Sequence, residues 1–588
     1  MKEKWILRRK GADYAALSEA LGVDPVIVRI LVNKGLSNTE EMKRYLYGTR
    51  ADLYDPHQMT DMDLAADILA EKIEEKQPIR IIGDYDIDGI MSSYILQQAL
   101  SRCGARADVA IPDRKTDGYG LNQHLIDRAV RDRIDTILTC DNGISAMEPI
   151  AYAKQAGMTV VVTDHHQIPY KETDGQRVEL SSEADAIVNP HQAGDPYPFD
   201  GLCGAGVAFK LVQVLYERMG IPVEEADEFL ENAGFATIGD VMDLRDENRI
   251  LAKTGLEALS HTSNLGMQAL IAQNELEHTE LKAHHVGFRL GPCLNASGRL
   301  DTAELSVRLL TSRKTADAVH LATEIVSLNN ARKSLTEQAV EQAVQIMEQE
   351  GYTEDRVLVI FLPDCDESLA GIVAGRLRER YFRPVLVITR GEESAKGSAR
   401  SIEAYSMYEE MNRCRELFLK FGGHPMAAGF SMEEDRIPAL RSRLNELCTL
   451  TQEDLVPKIY IDVDMPVDYV SEELVQQLEL LEPFGKGNEK PVFADRNLRV
   501  CSLRVLGEAR RVNKLVLESA GHRKINAVYF GEEAELLEPI REKYGEEAVR
   551  ELQSGRVQRD IRLHICYYPS VNEFRGNRTL ELILQSVC

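Results

Sequence analysis

From about residue 79 to 240, short apolar, β-branched runs alternate with stretches whose apolar residues recur every three to four positions. IRII (79–82) is followed by GIMSSYILQQALSRCG, where Ile90, Tyr94, Ile95 and Leu100 have helical spacing. ADVAIP (107–112), TILTC (136–140), TVVVT (159–163) and DAIVNP (185–190) repeat the strand pattern. LNQHLIDRAVRD, SAMEPIAYAKQAG and GAGVAFKLVQVLYERMG (204–220) supply the helices between and after them. Nearly all-apolar strands alternating with helices predict an α/β domain with a parallel sheet covered on both faces. Ligands of such sheets bind beyond the carboxyl ends of the strands, and Asp84, Asp141 and Asp164 lie at or just past such ends.

Farther along, Leu300 to Glu350 contains neither Gly nor Pro, which predicts one long connector helix or two consecutive ones, closed by Gly351. A second, smaller α/β segment follows, with VLVIF (357–361), a helix through AGIVAGRLRERY, PVLVI (384–388) and a loop FGGHPMAAG (421–429). From about 456 the pattern turns to short strands split by turns, an all-β barrel or sandwich of five to six strands. The expected organisation is an N-terminal segment 1–60, a first α/β domain 61–255, a helical remainder and connector 256–350, the second α/β domain 351–452 and the β domain 453–588.

Composition narrows the class. With 588 residues, 44% hydrophobic and 28% charged, the chain is a multidomain globular protein. No run approaches the ~18 apolar residues of a transmembrane helix, and MKEKWILRRKGADYAAL lacks the features of a signal peptide. Ten scattered cysteines without a CxxC pair fit free thiols in a reducing cytoplasm. The net charge of −26 does not exclude a polyanionic partner. Charges farther apart than about 8 Å are screened at physiological salt. Residues 371–424 hold ten Lys/Arg against seven Asp/Glu, a local excess against the overall sign.

The chemistry concentrates at the strand ends: Asp84-Tyr-Asp86-Ile-Asp88-Gly89, Asp141-Asn-Gly143, Asp164-His165-His166, and Asp240 in FATIGDVMDL. A lone DxD is usually a helix cap and a lone DNG a turn. On successive strand ends of one sheet, however, converging carboxylates require cations or shared protons. Oxygen-rich ligands with one or two imidazoles suit Mn²⁺ or Mg²⁺. Two such ions ~3.5–4 Å apart can polarise a phosphate and activate water.

DYDIDG, DNG, TDHH and GDV in this order resemble the DHH phosphoesterase superfamily, and within it the RecJ family of single-strand-specific 5′→3′ DNA exonucleases. IPDRKTDGYGLN (111–122), LCGAGVAFKL (202–211), LGPCLNASGRLDTA (290–303), GSARSIEAYSMYE (397–409), FGGHPMAAGF (421–430) and EPFGKGN (482–488) extend the similarity over nearly the whole chain. The resemblance implies a two-ion Mn²⁺ or Mg²⁺ centre built by Asp84, Asp86, Asp88, Asp141, His165 and Asp240. It also implies His166 at the scissile phosphate or supporting the metal, and Asp164 orienting a histidine. Arg114, Arg299, Ser398 and Arg400 are implied in phosphate binding, the last two at a 5′-phosphate pocket. Gly422, Gly423 and His424 would let the backbone approach the strand. The β domain is similar to the OB-fold at this place in the family, and would bind single strands.

The implied function is hydrolysis of single-stranded DNA to 5′-mononucleotides in DNA repair and recombination. A single-strand-binding protein and a RecQ-type helicase would be partners, and a monomer is expected, with no membrane association. Relatives carry a histidine near Asp366, so a cationic phosphate contact there is in question, and Glu489 stands where a proline is usual. The pair His284-His285 lacks accompanying carboxylates and reads as incidental. Two rival readings are a small-molecule phosphoesterase on the same scaffold and a non-catalytic nucleic-acid-binding protein. The β domain and the length weigh against the first, the complete acidic set against the second.

Overall fold

The structure, a computed structural model, describes residues 3–114, 117–118, 120–173, 176–507, 510–555, 557–574 and 576–588. Lys115, Thr116 and Tyr119 of the 111–122 stretch lie outside the described residues. The chain divides into two compact units, one of Leu53–Pro457 and one of Glu3–Asp52 with Lys458–Cys588.

In the first unit, five strands form a parallel sheet in the order Arg106–Ala110, Pro78–Ile82, Thr136–Cys140, Thr159–Thr163, Ala186–Val188. TILTC is buried throughout, as a strand covered on both faces must be. Arg80 is the charged exception in Pro78–Ile82. Its guanidinium is bonded to both Asp108 oxygens at 2.8 and 2.7 Å and to Asp132 at 2.9 Å. The chain leaves Pro78–Ile82 first toward one sheet edge and then returns to the other side. The ends of Pro78–Ile82 and Thr136–Cys140 therefore flank a topological switch point, where a crevice opens.

The connector is a single helix, Thr315–Gln349. Ala318, Leu321, Ala322 and Ile325 join the core of the first lobe. Ala339, Ala343, Val344 and Met347 join the core of the second. One continuous apolar stripe thus serves both lobes. The second lobe's sheet runs Lys420–His424, Ala427–Met432, Ala395–Arg400, Val385–Arg390, Leu358–Phe361, with only the last pair parallel. The expected loop at 421–429 is a β-hairpin, not a loop: Gly422 pairs with Gly429 and His424 with Ala427. Paired glycines and small residues let the two backbones run flat beside each other, and this leaves Lys420–His424 as the sheet's edge.

The second unit holds a closed barrel. Phe493–Leu506, Val512–Glu518 and Lys524–Phe530 pair antiparallel in sequence. Asn577–Val587 then joins Lys524–Phe530 in parallel, and Arg562–Phe574 closes the ring back onto Phe493–Leu506. The barrel also carries helices Glu472–Glu479, Glu533–Tyr544 and Glu546–Ser554, which the strand pattern alone did not bring out. Tyr567 is buried, with its hydroxyl donating to the Met465 carbonyl at 2.8 Å. The N-terminal residues belong to this unit. Lys4–Leu7 pairs in parallel with Lys458–Ile461, and Ile27, Ile30, Leu31, Met42 and Leu46 share a core with Phe493, Leu498 and Tyr567.

Candidate metal centre

The site grows from the turn after Pro78–Ile82. Asp86 caps the helix Ile87–Arg102, its Oδ1 accepting from the amides of Asp88 at 3.0 Å and Gly89 at 3.2 Å. A Cβ at Gly89 would lie 2.4 Å from the Asp84 carbonyl oxygen, so only glycine lets the turn fold back on itself. The Ile87 amide, left over at this helix start, donates to Asn295 Oδ1 at 2.8 Å from helix Gly291–Leu300.

Asp88 is fully buried. Its Oδ2 accepts from the Gly204 amide at 2.6 Å and its Oδ1 from the Ala205 amide at 2.8 Å, at the start of helix Gly204–Arg218. Two donors and the helix dipole hold its negative charge. Asp141 takes a positive φ of 60°. Asn142 fixes that turn, donating to the Ile82 and Cys140 carbonyls at 2.9 Å each. This explains the DNG sequence, since Asp and Asn tolerate turns that bulkier residues resist.

His165 Nε2 stands 3.0 Å from Asp141 Oδ1 and 3.5 Å from Asp88 Oδ2. Asp164 Oδ2 accepts from the Ile144 amide at 2.9 Å, and its Oδ1 faces His166 Nδ1 at 2.8 Å. Asp164 is thus occupied in orienting His166. Burial pushes the Asp164 carboxyl up, but the His166 bond and charge, the Ile144 amide and the His165 charge together outweigh it, and the net shift is downward. Burial works against the charged His166 imidazole too, and the Asp164 bond and charge outweigh it, raising His166 to about 9. Asp240 follows helix Leu230–Gly239 as its C-cap.

Three overlapping groups have ligand atoms within 4.8 Å of one another: Asp141, His165 and His166; Asp88, His165 and Asp240; and Asp84, Asp86 and Asp141. The structure thereby brings together all six expected ligands and His166. The electrostatics ask for a cation. Both Asp84 oxygens are buried without a hydrogen-bond partner, although the Tyr85 and Gly120 amides lie near. Burial and the neighbouring Asp86 push Asp84 up to about 8. Burial and Asp88 raise Asp86. Burial, Asp88, Asp86, Asp240 and Asp84 together raise Asp141 well above the usual carboxylate range. Carboxylates this crowded keep protons unless a cation replaces them, and five carboxylates with imidazole suit Mn²⁺ or Mg²⁺.

The expected phosphate-binding residues lie around this cluster. Arg114 stacks over the Tyr85 ring, 4.9 Å from its centroid. Arg299 is half-buried and donates from Nη1 to the Ser368 carbonyl of the second lobe at 2.7 Å. Burial and the nearby Arg114 and Arg332 lower it to about 10. Ser398 and Arg400 sit on strand Ala395–Arg400, and a Cβ at Gly371 would lie 2.9 Å from Arg400 Nη2 and 3.5 Å from Ser398 Oγ. Gly422, Gly423 and His424 are exposed on the edge strand. Asp366 caps helix Glu367–Tyr381 through the Ser368 amide at 2.9 Å. The His284 and His285 rings lie 3.9 Å apart between centroids, tilted by 50°, and belong to none of the three ligand groups. Sequence reasoning gave no role to Gly204, Ala205 or Asn295. All three lie in the stretches LCGAGVAFKL and LGPCLNASGRL, and a glycine-opened helix start and an Asn between apolar and small residues were the available signals.

Family models for the DHH family, N-terminal domain, match residues 78–235, for the DHHA1 domain 354–450, and for the RecJ OB domain 461–586. The chain is 30% identical to the single-stranded-DNA-specific exonuclease RecJ of Escherichia coli (strain K12), over the whole of both chains. It belongs to the RecJ family. The RecJ of Bacillus subtilis (strain 168) is 35% identical across 99% of this chain and 70% of its own length. The crystal structure of Thermus thermophilus RecJ in complex with Mn²⁺ superposes with a TM-score of 0.81, at 27% identity, covering 100% of this chain and 79% of that one. A second crystal structure of that RecJ holds Mg²⁺. The oxygen-rich donor set found here fits either ion.

Proposed function

We propose that this chain is a metal-dependent exonuclease that degrades single-stranded DNA from the 5′ end to 5′-mononucleotides. The observation that carries it is the convergence of Asp84, Asp86, Asp88, Asp141, Asp240, His165 and His166 at a switch point beside a second lobe bearing the half-buried Arg400. Asp84, Asp86, Asp88, Asp141, Asp240 and His165 would hold two Mn²⁺ or Mg²⁺ ions. When bound, the ions supply charge that polarises phosphate oxygens and acidifies an attacking water.

The chain's own residues do the rest. Asp164 fixes the His166 tautomer, and with Nδ1 so engaged it is Nε2 that donates to a phosphate oxygen. Arg114 and Arg299 neutralise the accumulating charge. Ser398 and Arg400 receive the 5′-phosphate, with the Gly422-Gly423-His424 edge beside the strand. Water adds to phosphorus as the P–O3′ bond breaks. The departing nucleotide leaves with a 3′-hydroxyl, and the shortened strand keeps a 5′-phosphate.

The barrel of the second unit adds a single-strand-binding surface, as OB-folds commonly do. A role in DNA repair and recombination, a single-strand-binding protein and a RecQ-type helicase as partners, a monomeric state and a cytoplasmic location complete the proposal. Ten free cysteines support the reducing compartment. No helix among the described residues is long and apolar enough to cross a membrane.

The test supplies purified protein and Mn²⁺ with 5′-phosphorylated single strands, blunt duplex and dinucleotides, alongside Asp86→Ala. Stepwise digestion of the single strands alone, lost in the variant, is expected. Equal digestion of duplex, or cleavage of dinucleotides only, would sink the reading, and an active Asp86→Ala would sink the metal assignment.

A further inference from the structure

Two turns deliver residues to the metal centre from the region after the parallel sheet. Leu202-Cys203 leads into the Gly204 and Ala205 amides that hold Asp88, and the end of helix Leu230–Gly239 delivers Asp240. Asp88 and Asp240 belong to one ligand group with His165. A single side chain bonds to both turns. Asn248 donates from Nδ2 to the Gly201 carbonyl at 2.5 Å and to the Asp243 carbonyl at 3.2 Å. It is fully buried, and its Oδ1 has no hydrogen-bond partner among the described residues. An orphaned buried oxygen destabilises the fold, and turning the amide over would set that oxygen against two carbonyls. What asparagine contributes here is its pair of donors.

The turn after Asp240 needs such a pin. The Val241 amide donates to the Ile238 carbonyl at 3.2 Å and the Met242 amide to the Thr237 carbonyl at 3.1 Å, a helix ending that usually has glycine where Val241 stands. Val241 takes a φ of 58°, where a β-branched side chain is crowded. Its side chain is 58% exposed, so packing does not offset the crowding. A backbone in this region persists only where its surroundings over-determine it. Asn248 itself stands on a fixed base, in the first turn of helix Asp246–Leu259 directly after Glu247. The buried Glu247 carboxylate accepts from Lys210 Nζ at 2.5 Å, the Tyr197 hydroxyl at 2.6 Å and the Tyr54 amide at 2.8 Å. Lys210 lies on helix Gly204–Arg218, so this ion pair locks the helix that opens at Asp88 to the helix that carries Asn248.

We propose that Asn248 is a positioning residue of the metal centre, its one amide group setting the Gly204–Ala205 amides that hold Asp88 against the strained turn that carries Asp240. This role rests on the metal-centre reading above and belongs to a residue outside the ligand groups. Without the pin, the turn at Val241 relaxes toward an ordinary backbone conformation and Asp240 leaves the place where it meets Asp88 and His165.

The test compares Asn248→Ala, Asn248→Leu, Val241→Gly and the pair Asn248→Ala with Val241→Gly in the full chain. Mn²⁺ affinity is read by titration calorimetry, and kcat and KM are read on a 5′-phosphorylated single strand. Asn248→Ala is expected to weaken Mn²⁺ binding by about 10–100-fold. At limiting Mn²⁺ its kcat falls with KM for the strand unchanged, and excess Mn²⁺ restores kcat. Asn248→Leu fills the space without a donor, leaves no hole to unfold the chain, and should show the same loss. Glycine holds the left-handed conformation without crowding, so adding Val241→Gly to Asn248→Ala is expected to recover most of the lost affinity. A folded Asn248→Ala or Asn248→Leu that binds Mn²⁺ like a digesting wild type overturns the role of Asn248 and leaves the nuclease reading standing. A loss that Val241→Gly leaves uncorrected overturns the turn as its cause. If the wild type binds Mn²⁺ but digests no strand, the nuclease reading falls, and an affinity loss recovered by Val241→Gly still supports the role of Asn248. A wild type that binds no Mn²⁺ overturns both.

Discussion

The carboxylate of Asp88 is held by the start of the helix that begins at Gly204, whose amide donates to Asp88 Oδ2 at 2.6 Å. The same glycine lies against Asp141. A Cβ at residue 204 would sit 2.7 Å from Asp141 Cβ and 3.0 Å from Asp88 Oδ2. Gly204→Ala is therefore expected to push two carboxylates of the metal centre apart while leaving the helix intact. Supporting residues of this kind typically govern metal affinity by about 10–100-fold. Titration calorimetry with Mn²⁺ measures it, and an unchanged affinity would show that the centre does not depend on this contact.

Asn295 is the acceptor for the Ile87 amide at 2.8 Å, from a helix 208 residues away in sequence. Asn295→Ala leaves a half-buried backbone donor without a partner, a cost of about 1–3 kcal/mol. The expected outcome is a lower midpoint in chemical denaturation together with weaker Mn²⁺ binding, because the aspartate turn loses its anchor. A variant that loses stability but binds Mn²⁺ normally would assign Asn295 to the fold alone.

Arg299 bridges the two lobes of the first unit through the Ser368 carbonyl at 2.7 Å. Its half-buried guanidinium loses water and faces Arg114 and Arg332, and desolvation first, then these two charges, lower its pKa to about 10. Arg299→Met is expected to weaken single-strand binding by about 10–100-fold, the worth of a hydrogen bond to a charged group. Mn²⁺ affinity should stay as it is. Fluorescence anisotropy with a labelled strand, paired with a metal titration, separates the two effects.

Glu231, on the helix that ends at Asp240, is buried. Burial raises its pKa to about 7, against the opposing Thr262 bond. Its folded pKa thus lies above the unfolded value near 4.5, so the folded state binds the extra proton between those limits. Stability is full below about 4.5 and falls as pH rises through about 7. Glu231→Gln should match the wild type at pH 4.5 and exceed it at pH 8 by on the order of 2–3 kcal/mol. Denaturant melts at the two pH values give the comparison, and equal gains at both would refute the linkage.

The alternation of IRII, TILTC and TVVVT with helical segments was enough to specify a parallel sheet, because only strands covered on both faces read as continuous apolar runs. The same pattern put Asp84, Asp141 and Asp164 at strand ends, where such sheets bind ligands. Local chemistry carried this far since period and turn preference act between near neighbours. Tertiary structure decided the partners. The Gly204 amide that meets Asp88 is 116 residues away in sequence, and no local pattern connects the two. Arg299 faces a carbonyl of the other lobe for the same reason. Residues 421–429 looked like a loop because glycine is poor in strands, yet pairing with Ala427–Met432 supplied the hydrogen bonds that propensity withheld. The N-terminal helices share a core with a barrel that begins more than four hundred residues later, a pairing that only matching apolar surfaces could select. Sequence spacing determined which residues bear the chemistry, and long-range packing determined which of them meet.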